Sequence, residues 1–401
     1  MTIINMNMLP ISIDCLLSKL PVEIISLIIE YDKKSIIILT SVNKILYSYR
    51  AHFCININYM NINKFKTKFQ IDNLYNVQKL PLLDIDKEFF KMTFSGTYDR
   101  KVKDLPKHIT SLTFGWKFNR KIHLLSKKHN TTEIFDTSKV TVTDTILDTS
   151  RLTHLTFGNN FNQKVDNLPK NLSHLTFGWK FNQQVKNLPK NITHLTFGYW
   201  FGKQVKNLPK NVTHLTFGTC FNENVDDLPQ NLTHLTFGTA FSRPINNLPK
   251  NLTHLSLDFF FDRKVDYLPQ NITHLTFGDC FNQNVDNLPQ NITRLTFGNN
   301  FNQNVDKLPK NITHLIFGSD FNENIDNLPK NIIHLTFGKF CSQKIDNLPE
   351  SITHLTLGYN FNHKICYLPK NITNLKIHEI YDHLEKKFPN ISFIFFKLET
   401  R

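Results

Sequence analysis

The chain has 401 residues, a formal charge of +14, 40% hydrophobic and 20% charged residues, values of a chain that buries a core rather than of a disordered tract. Its six cysteines (Cys15, Cys54, Cys220, Cys280, Cys341, Cys366) are scattered without a C-x-x-C pair, which argues against a disulfide framework, and no window approaches the ~18 uninterrupted apolar residues of a membrane-spanning helix. The basic excess is spread thinly, with a lysine after the repeat proline offset by an aspartate four residues earlier, as in Asp166 and Lys170; no dense basic stripe is read, and nucleic acid is not an expected partner.

In chain order, residues 1–13 read as a flexible N-terminus without the basic start or small-residue cleavage site of a secretory signal. Residues 14–50 read as short helices, in the runs Leu20-Pro21-Val22-Glu23-Ile24-Ile25-Ser26-Leu27-Ile28-Ile29-Glu30-Tyr31 and 35–46. Apolar residues crowd more than one face of these helices, so a partner or the rest of the chain must cover the surplus. Residues 51–91 are a linker and N-terminal cap. A repeat array is expected over 92–375, opening with two units at 92–94 and 105–119, and the 43 residues from Gly115 to Gly158 place a degenerate unit near 120–151.

From Pro169 to Pro369 prolines recur every 20 residues without insertion, in the pattern Leu188-Pro189-Lys190-Asn191-Ile192-Thr193-His194-Leu195-Thr196-Phe197-Gly198. A period held this strictly implies equivalent coils stacked in register. The alternation over 193–197 predicts one short strand per coil. Twenty residues are too few for two ordinary helices, so the leucine-rich-repeat class of solenoid remains. Six apolar slots per coil, such as Leu168, Leu172, Leu175, Phe177, Phe181 and Val185, form the expected core. The glycine after each strand suits a tight exit turn, and the proline a return segment outside the ladder. Asn162, Asn182, Asn222 and Asn282 are expected to bond turn backbone, with that ladder interrupted at Gly202, Ser242, Asp262 and Ser342. A short helix near 379–387 and a last strand over 388–395 make a C-terminal cap, 376–401. The fold class is therefore α+β: a short helical N-terminal domain, then a leucine-rich-repeat-like solenoid with one parallel strand per coil.

Two segments carry a resemblance. The run LPVEIISLIIEY with Val42-Asn43-Lys44 resembles the F-box, and the 20-residue unit with Phe-Asn and Leu-Pro resembles the FNIP repeat. The chain thus resembles F-box and FNIP repeat-containing proteins of the kind found in amoebae and their giant viruses. That resemblance implies a substrate-recognition subunit of a cullin-type ubiquitin ligase, in the cytoplasm, or the host cytoplasm for a viral protein. Leu20, Pro21, Glu23, Ile24, Ile28, Ile29, Leu39 and Val42 would dock on the adaptor subunit, and the solenoid would bind a target protein. A protein-binding scaffold without a ligase partner is the alternative.

The candidate for chemistry is a histidine column: His154, His174, His194, His214, His234, His254, His274, His314, His334 and His354, broken by Arg294 and Asn374. A straight file one strand apart offers a metal at most two neighbouring ligands, so no metal site is expected. The column is read as an exposed partner-binding face whose imidazoles resist protonation beside one another. Cys220 and Cys280 share a slot three coils apart and form no site, and no phosphate loop, HExxH or GxSxG occurs. No enzyme activity and no cofactor are expected.

Overall fold

The computed structural model describes residues 55–56, 73–77, 91–100, 102, 105, 109–122 and 149–396. The helical segment expected over 14–50 lies outside them. Among the described residues, helix is confined to a 3-10 turn, Glu379–Tyr381, and one α-helical turn, Leu384–Lys387. What the structure describes is a leucine-rich-repeat-like solenoid of parallel strands with almost no helix. It forms two compact units, one reaching Phe161 and including 167–172, the other made of 162–166 and 173–401.

In the first unit the strands Ile55–Asn56, Asn73–Val77, Lys91–Phe94, Ser111–Thr113 and His154–Thr156 pair in parallel and in chain order. Ser111 pairs directly with His154, and Thr153 N–H donates to the Thr110 carbonyl at 2.9 Å. Residues 123–148, which make up most of the degenerate unit expected near 120–151, lie outside the described residues. The core is an aromatic file: Phe94 stacks on Phe114 at 5.2 Å, and Phe114 on Phe157 at 5.8 Å.

In the second unit three-residue strands run from His174–Thr176 to His354–Thr356, one per coil, and end on the five-residue strands Asn374–His378 and Ser392–Phe396. Partners up to Asn374 differ by 20 residues, as in His194↔His214 and Leu195↔Leu215, so each side chain sits over its counterpart. The strand expected over 193–197 shortens to His194–Thr196. Thr193 N–H and His194 N–H both donate to the Ser173 carbonyl, at 2.8 and 3.0 Å, and that shared acceptor ends the regular ladder. Buried columns of Leu195, Phe197, Phe201 and their equivalents fill the interior, with Phe197 stacked on Phe201 at 3.9 Å and on Phe217 at 5.7 Å. A single coil cannot close such a core, because each ring, besides its partner in the same coil, packs on the rings of the coils on either side.

The repeated proline opens a turn in every coil, its carbonyl accepting from the residue three ahead, as in Ile192 N–H to the Pro189 carbonyl at 3.3 Å. The glycine after the strand has a reason other than the expected turn, since no glycine among the described residues has positive φ. A Cβ on Gly198 would stand 2.0 Å from the Gly178 carbonyl oxygen. The missing side chain lets successive coils approach at that corner. The C-terminal end is covered by the short helical segment: Tyr381 takes the phenylalanine slot and its hydroxyl donates to the Phe361 carbonyl at 3.1 Å. Lys387 Nζ donates to the Ile365 and Cys366 carbonyls at 3.0 and 3.2 Å.

Candidate interaction surface

Each coil of the second unit presents a strand face and two turn edges. On the strand face the histidines form a stacked column, with ring centroids 4.2 Å apart for His174 and His194 and 4.1 Å apart for each step from His194 to His274. A second run joins His314, His334 and His354 at 4.3 and 4.2 Å. The structure thus brings together His174, His194, His214, His234, His254 and His274 on one side of Arg294, and His314, His334 and His354 on the other. His154 belongs to the first unit. The face was expected to be exposed; the imidazoles from His174 to His334 are half-buried, because each ring is covered by its neighbours.

A threonine ladder fixes the rings. Thr213 Oγ1 donates to the Thr193 carbonyl at 3.2 Å and lies 2.9 Å from His214 Nδ1, and Thr233 repeats both contacts. The hydroxyl has one proton, and the carbonyl takes it. His214 Nδ1 therefore carries the ring proton and donates to Oγ1, which leaves Nε2 as the acceptor of the neutral ring. Burial first, and neighbouring imidazoles second, hold His214, His234 and His254 below the ordinary histidine range. For His274 and His314 burial again leads, with the Arg294 guanidinium next; for His334 the second cause is His354.

The turn edge after each strand is where the coils differ. Its backbone is a second ladder, with Trp200 N–H donating to the Trp179 carbonyl and Cys220 N–H to the Tyr199 carbonyl, both at 2.8 Å. Side chains there are directed by no core requirement, and several are large and apolar. Trp179 is 61% and Trp200 54% exposed, with Tyr199 between them, its ring 5.9 Å from Trp179 and 5.3 Å from Trp200. Phe259 and Phe260 form an edge-to-face pair at 4.8 Å on the same edge, and the two intervening coils carry the smaller Thr219, Cys220, Thr239 and Ala240. Exposed aromatic clusters of this kind mark binding surfaces.

The asparagine ladder runs as expected, with one correction. Asn182 N–H donates to Asn162 Oδ1 at 2.9 Å and Gly202 N–H to Asn182 Oδ1 at 3.1 Å. Asp262, expected to interrupt the file, continues it, because its Oδ1 accepts from Asn282 N–H at 3.0 Å as an asparagine oxygen would. Gly202 does end a segment, having no side chain to accept with. A second asparagine file escaped the sequence reading: Asn231, Asn251, Asn271 and their equivalents donate Nδ2 to the carbonyl that follows the proline of the previous coil, at 2.9 to 3.1 Å. Its signal is the recurring asparagine of the Pro-x-Asn triplet, replaced at 351 by a serine whose hydroxyl donates to the Lys330 carbonyl at 2.7 Å instead.

Among the described residues no group of His, Cys, Asp or Glu could hold a metal, and no helix is long and apolar enough to cross a membrane. Cys220, Cys280, Cys341 and Cys366 are free thiols. Leu20, Pro21, Glu23, Ile24, Ile28, Ile29, Leu39 and Val42 lie outside the described residues.

Stacked equivalent coils, a closed core and a variable outer edge define a repeat solenoid of the leucine-rich-repeat type, an architecture that presents extended binding surfaces rather than a catalytic cleft. The FNIP Repeat model matches residues 149–180, 164–200, 181–220, 221–260, 281–307, 301–340 and 342–380, more than half of the chain. The chain belongs to the FNIP repeat family. Among solved structures it is similar to CroV588, described as a novel circular LRR protein, with 37% identity, a TM-score of 0.59, and coverage of 77% of this chain and 52% of that one. The chain thus spans about half the length of that relative. YopM from Yersinia enterocolitica WA-314 matches with 16% identity and a TM-score of 0.39, over 76% of this chain and 78% of that one. No curated protein matches the chain.

Proposed function

We propose that the chain is a non-enzymatic receptor that holds a protein partner against its solenoid. The observation that carries this reading is the exposed aromatic edge of Trp179, Tyr199, Trp200, Phe259 and Phe260, set on coils whose interior is already complete. Exposing rings this large in water is unfavourable without a partner, since burying one contributes roughly 1.5–3 kcal/mol. The strand face of His174, His194, His214, His234, His254, His274, His314, His334 and His354 adds a second contact region, in which the Nε2 acceptors of the rings held by a preceding threonine, such as His194, His214 and His234, receive hydrogen bonds from the partner. A photo-crosslinking residue placed at 200 tests the edge. An adduct with a discrete polypeptide, weakened by Trp179→Ala, supports the reading, and an adduct pattern unchanged by that substitution contradicts it.

Within this reading we propose that the N-terminal segment docks on the adaptor of a cullin-type ubiquitin ligase, making the chain a substrate-recognition subunit in a reducing, cytoplasmic setting. The support is the F-box resemblance of LPVEIISLIIEY and Val42-Asn43-Lys44. Leu20, Pro21, Glu23, Ile24, Ile28, Ile29, Leu39 and Val42 would make the contact. The chain would then contribute proximity, raising the local concentration of the target near a conjugating enzyme, and no acid, base or nucleophile. A pull-down with purified adaptor decides it. Binding that is lost on joint Leu20→Ala and Pro21→Ala substitution supports the ligase role, and no binding by the unmodified chain leaves a scaffold without that role.

A further inference from the structure

The charge spread thinly over the whole sequence is concentrated in two coils of the second unit. Residues 173–222 contain six lysines and no aspartate or glutamate, whereas 223–396 contain 15 Lys/Arg against 17 Asp/Glu. This corrects the expectation that no local basic region exists. Most of the asymmetry comes from one position of the coil. A single column of the coil is aspartate at 166, 226, 266, 286, 306, 326 and 346, and lysine only at 186 and 206.

At Asp226, Asp266, Asp286, Asp306 and Asp326 the carboxylate is satisfied by its surroundings. Asp306 accepts from its own Asn304 at 2.8 Å and from Asn327 of the next coil at 3.1 Å. Asp286 pairs with Lys307 at 2.9 Å. Where the column is lysine, both devices are gone: Gln184 and Gln204 replace the asparagine two residues earlier, and Asn207 finds Lys186 at the position of its usual acceptor. Asn207 is also the one non-glycine residue with positive φ among the described residues, at 59°.

The column shares its edge with the residue after the repeat proline. Lys307 reaches Asp286 of the preceding coil, and Tyr367, its counterpart three coils on, donates to Glu350, the residue after a proline. By the same repeat geometry Lys186, Lys190, Lys206 and Lys210 share one edge of two successive coils, about 4.8 Å apart along the stack. All four are exposed, and among the described residues none has a carboxylate partner. Four ammonium groups held this close repel one another until an anion lies between them.

We propose that Lys186, Lys190, Lys206 and Lys210 form a docking window for a short acidic peptide segment of the partner protein. The inference rests on the scaffold reading and names the chemistry of what the scaffold holds. The length of the window selects a peptide over a nucleic acid. Asp166 closes it on one side and Asp226 with Asp227 on the other, so only a few coils of positive edge are available. A polyanion whose charge continues would meet those carboxylates, and strong phosphate-backbone binding draws on about 6–10 contacts. A few carboxylates flanked by neutral residues fit the space.

The test is fluorescence anisotropy on the full chain, with labelled hexaglutamate flanked by Gly-Ser, the matching hexaglutamine peptide, and oligothymidylate of equal charge. The variant carries Lys186→Asp and Lys206→Asp, the residue that most other coils hold in this column, so its coils keep a tolerated sequence. The expected result is binding of hexaglutamate alone, weakened by salt and weakened about tenfold or more by the double substitution. Tighter binding of oligothymidylate than of hexaglutamate, or equal affinity of the variant and the unmodified chain for hexaglutamate, overturns the proposal. Crosslinking from position 200 separates the two levels. If a specific adduct persists while hexaglutamate fails to bind, the window is wrong and the scaffold reading stands. If neither occurs, both fail.

Discussion

The imidazole of His234 lies over that of His214, with centroids 4.1 Å apart and ring planes 12° from parallel. Protonating either ring places a charge against a neighbour that is itself partly buried, which is why both are held below the ordinary histidine range, by burial first and by adjacent imidazoles second.

The consequence is a stability that depends on pH. The unfolded chain protonates its histidines near pH ~6.5, whereas the folded one protonates them lower. Above the unfolded value both states are neutral and nothing is lost. As pH falls through and below that value, the unfolded state binds more protons and stability declines, until the folded histidines titrate too. The expected outcome is a lower Tm at pH 5 than at pH 7.5. His234→Gln and His254→Gln, which keep a planar polar side chain, should each flatten the dependence. A Tm independent of pH over this range would contradict the stacked column.

Gly202 marks a gap that can be filled. Its N–H donates to Asn182 Oδ1 at 3.1 Å, yet it offers no oxygen to Asn222 of the next coil. An added Cβ would come no closer than 3.5 Å to any atom outside its immediate neighbours. Gly202→Asn is expected to extend the file and stabilise the chain by about 1 kcal/mol. Asn282→Ala, which removes the acceptor of Asn302 N–H at 3.0 Å, should cost about 1–2 kcal/mol. Urea unfolding of the two variants checks both signs.

Cys341 stands in the slot held by phenylalanine at 321 and 361 and is buried, and that burial pushes its thiol up to about 11. It should resist iodoacetamide in the folded chain and react on unfolding, whereas exposed Cys366 reacts in the folded state. Cys341→Phe restores the aromatic file and is expected to raise stability by about 1 kcal/mol. Peptide mapping of the alkylated chain measures the first expectation, and urea unfolding the second.

The coil was legible in the sequence because every coil repeats the same physical problem. Leu195, Phe197 and Phe201 had to face inward, since the 20-residue period sets each over its own counterpart in the coils above and below, where it can pack. Three features were not legible, for different reasons. The role of Gly198 depends on the distance to the Gly178 carbonyl, which no pattern within one coil contains. The continuity of the ladder at Asp262 depends on chemistry shared by two residue types, an oxygen at the same place, where the sequence shows only a substitution. The charge window at Lys186 and Lys206 was hidden by averaging, because a net charge over the whole chain cannot show one column changing sign. The aromatic edge is partly legible, because Trp179, Tyr199, Trp200, Phe259 and Phe260 occupy slots that vary between otherwise repeated coils, but their shared edge depends on the second backbone ladder that aligns them.

The most direct measurement is site-specific photo-crosslinking from single positions of the full chain, at 200 and 260 on the aromatic edge and at 330 on the opposite turn edge. A receptor that uses its variable aromatic edge should give the same partner polypeptide from 200 and 260 and little from 330, with yields from 260 reduced severalfold by Trp200→Ala. Equal adducts from all three positions, or none from the aromatic edge, would contradict the role assigned to it.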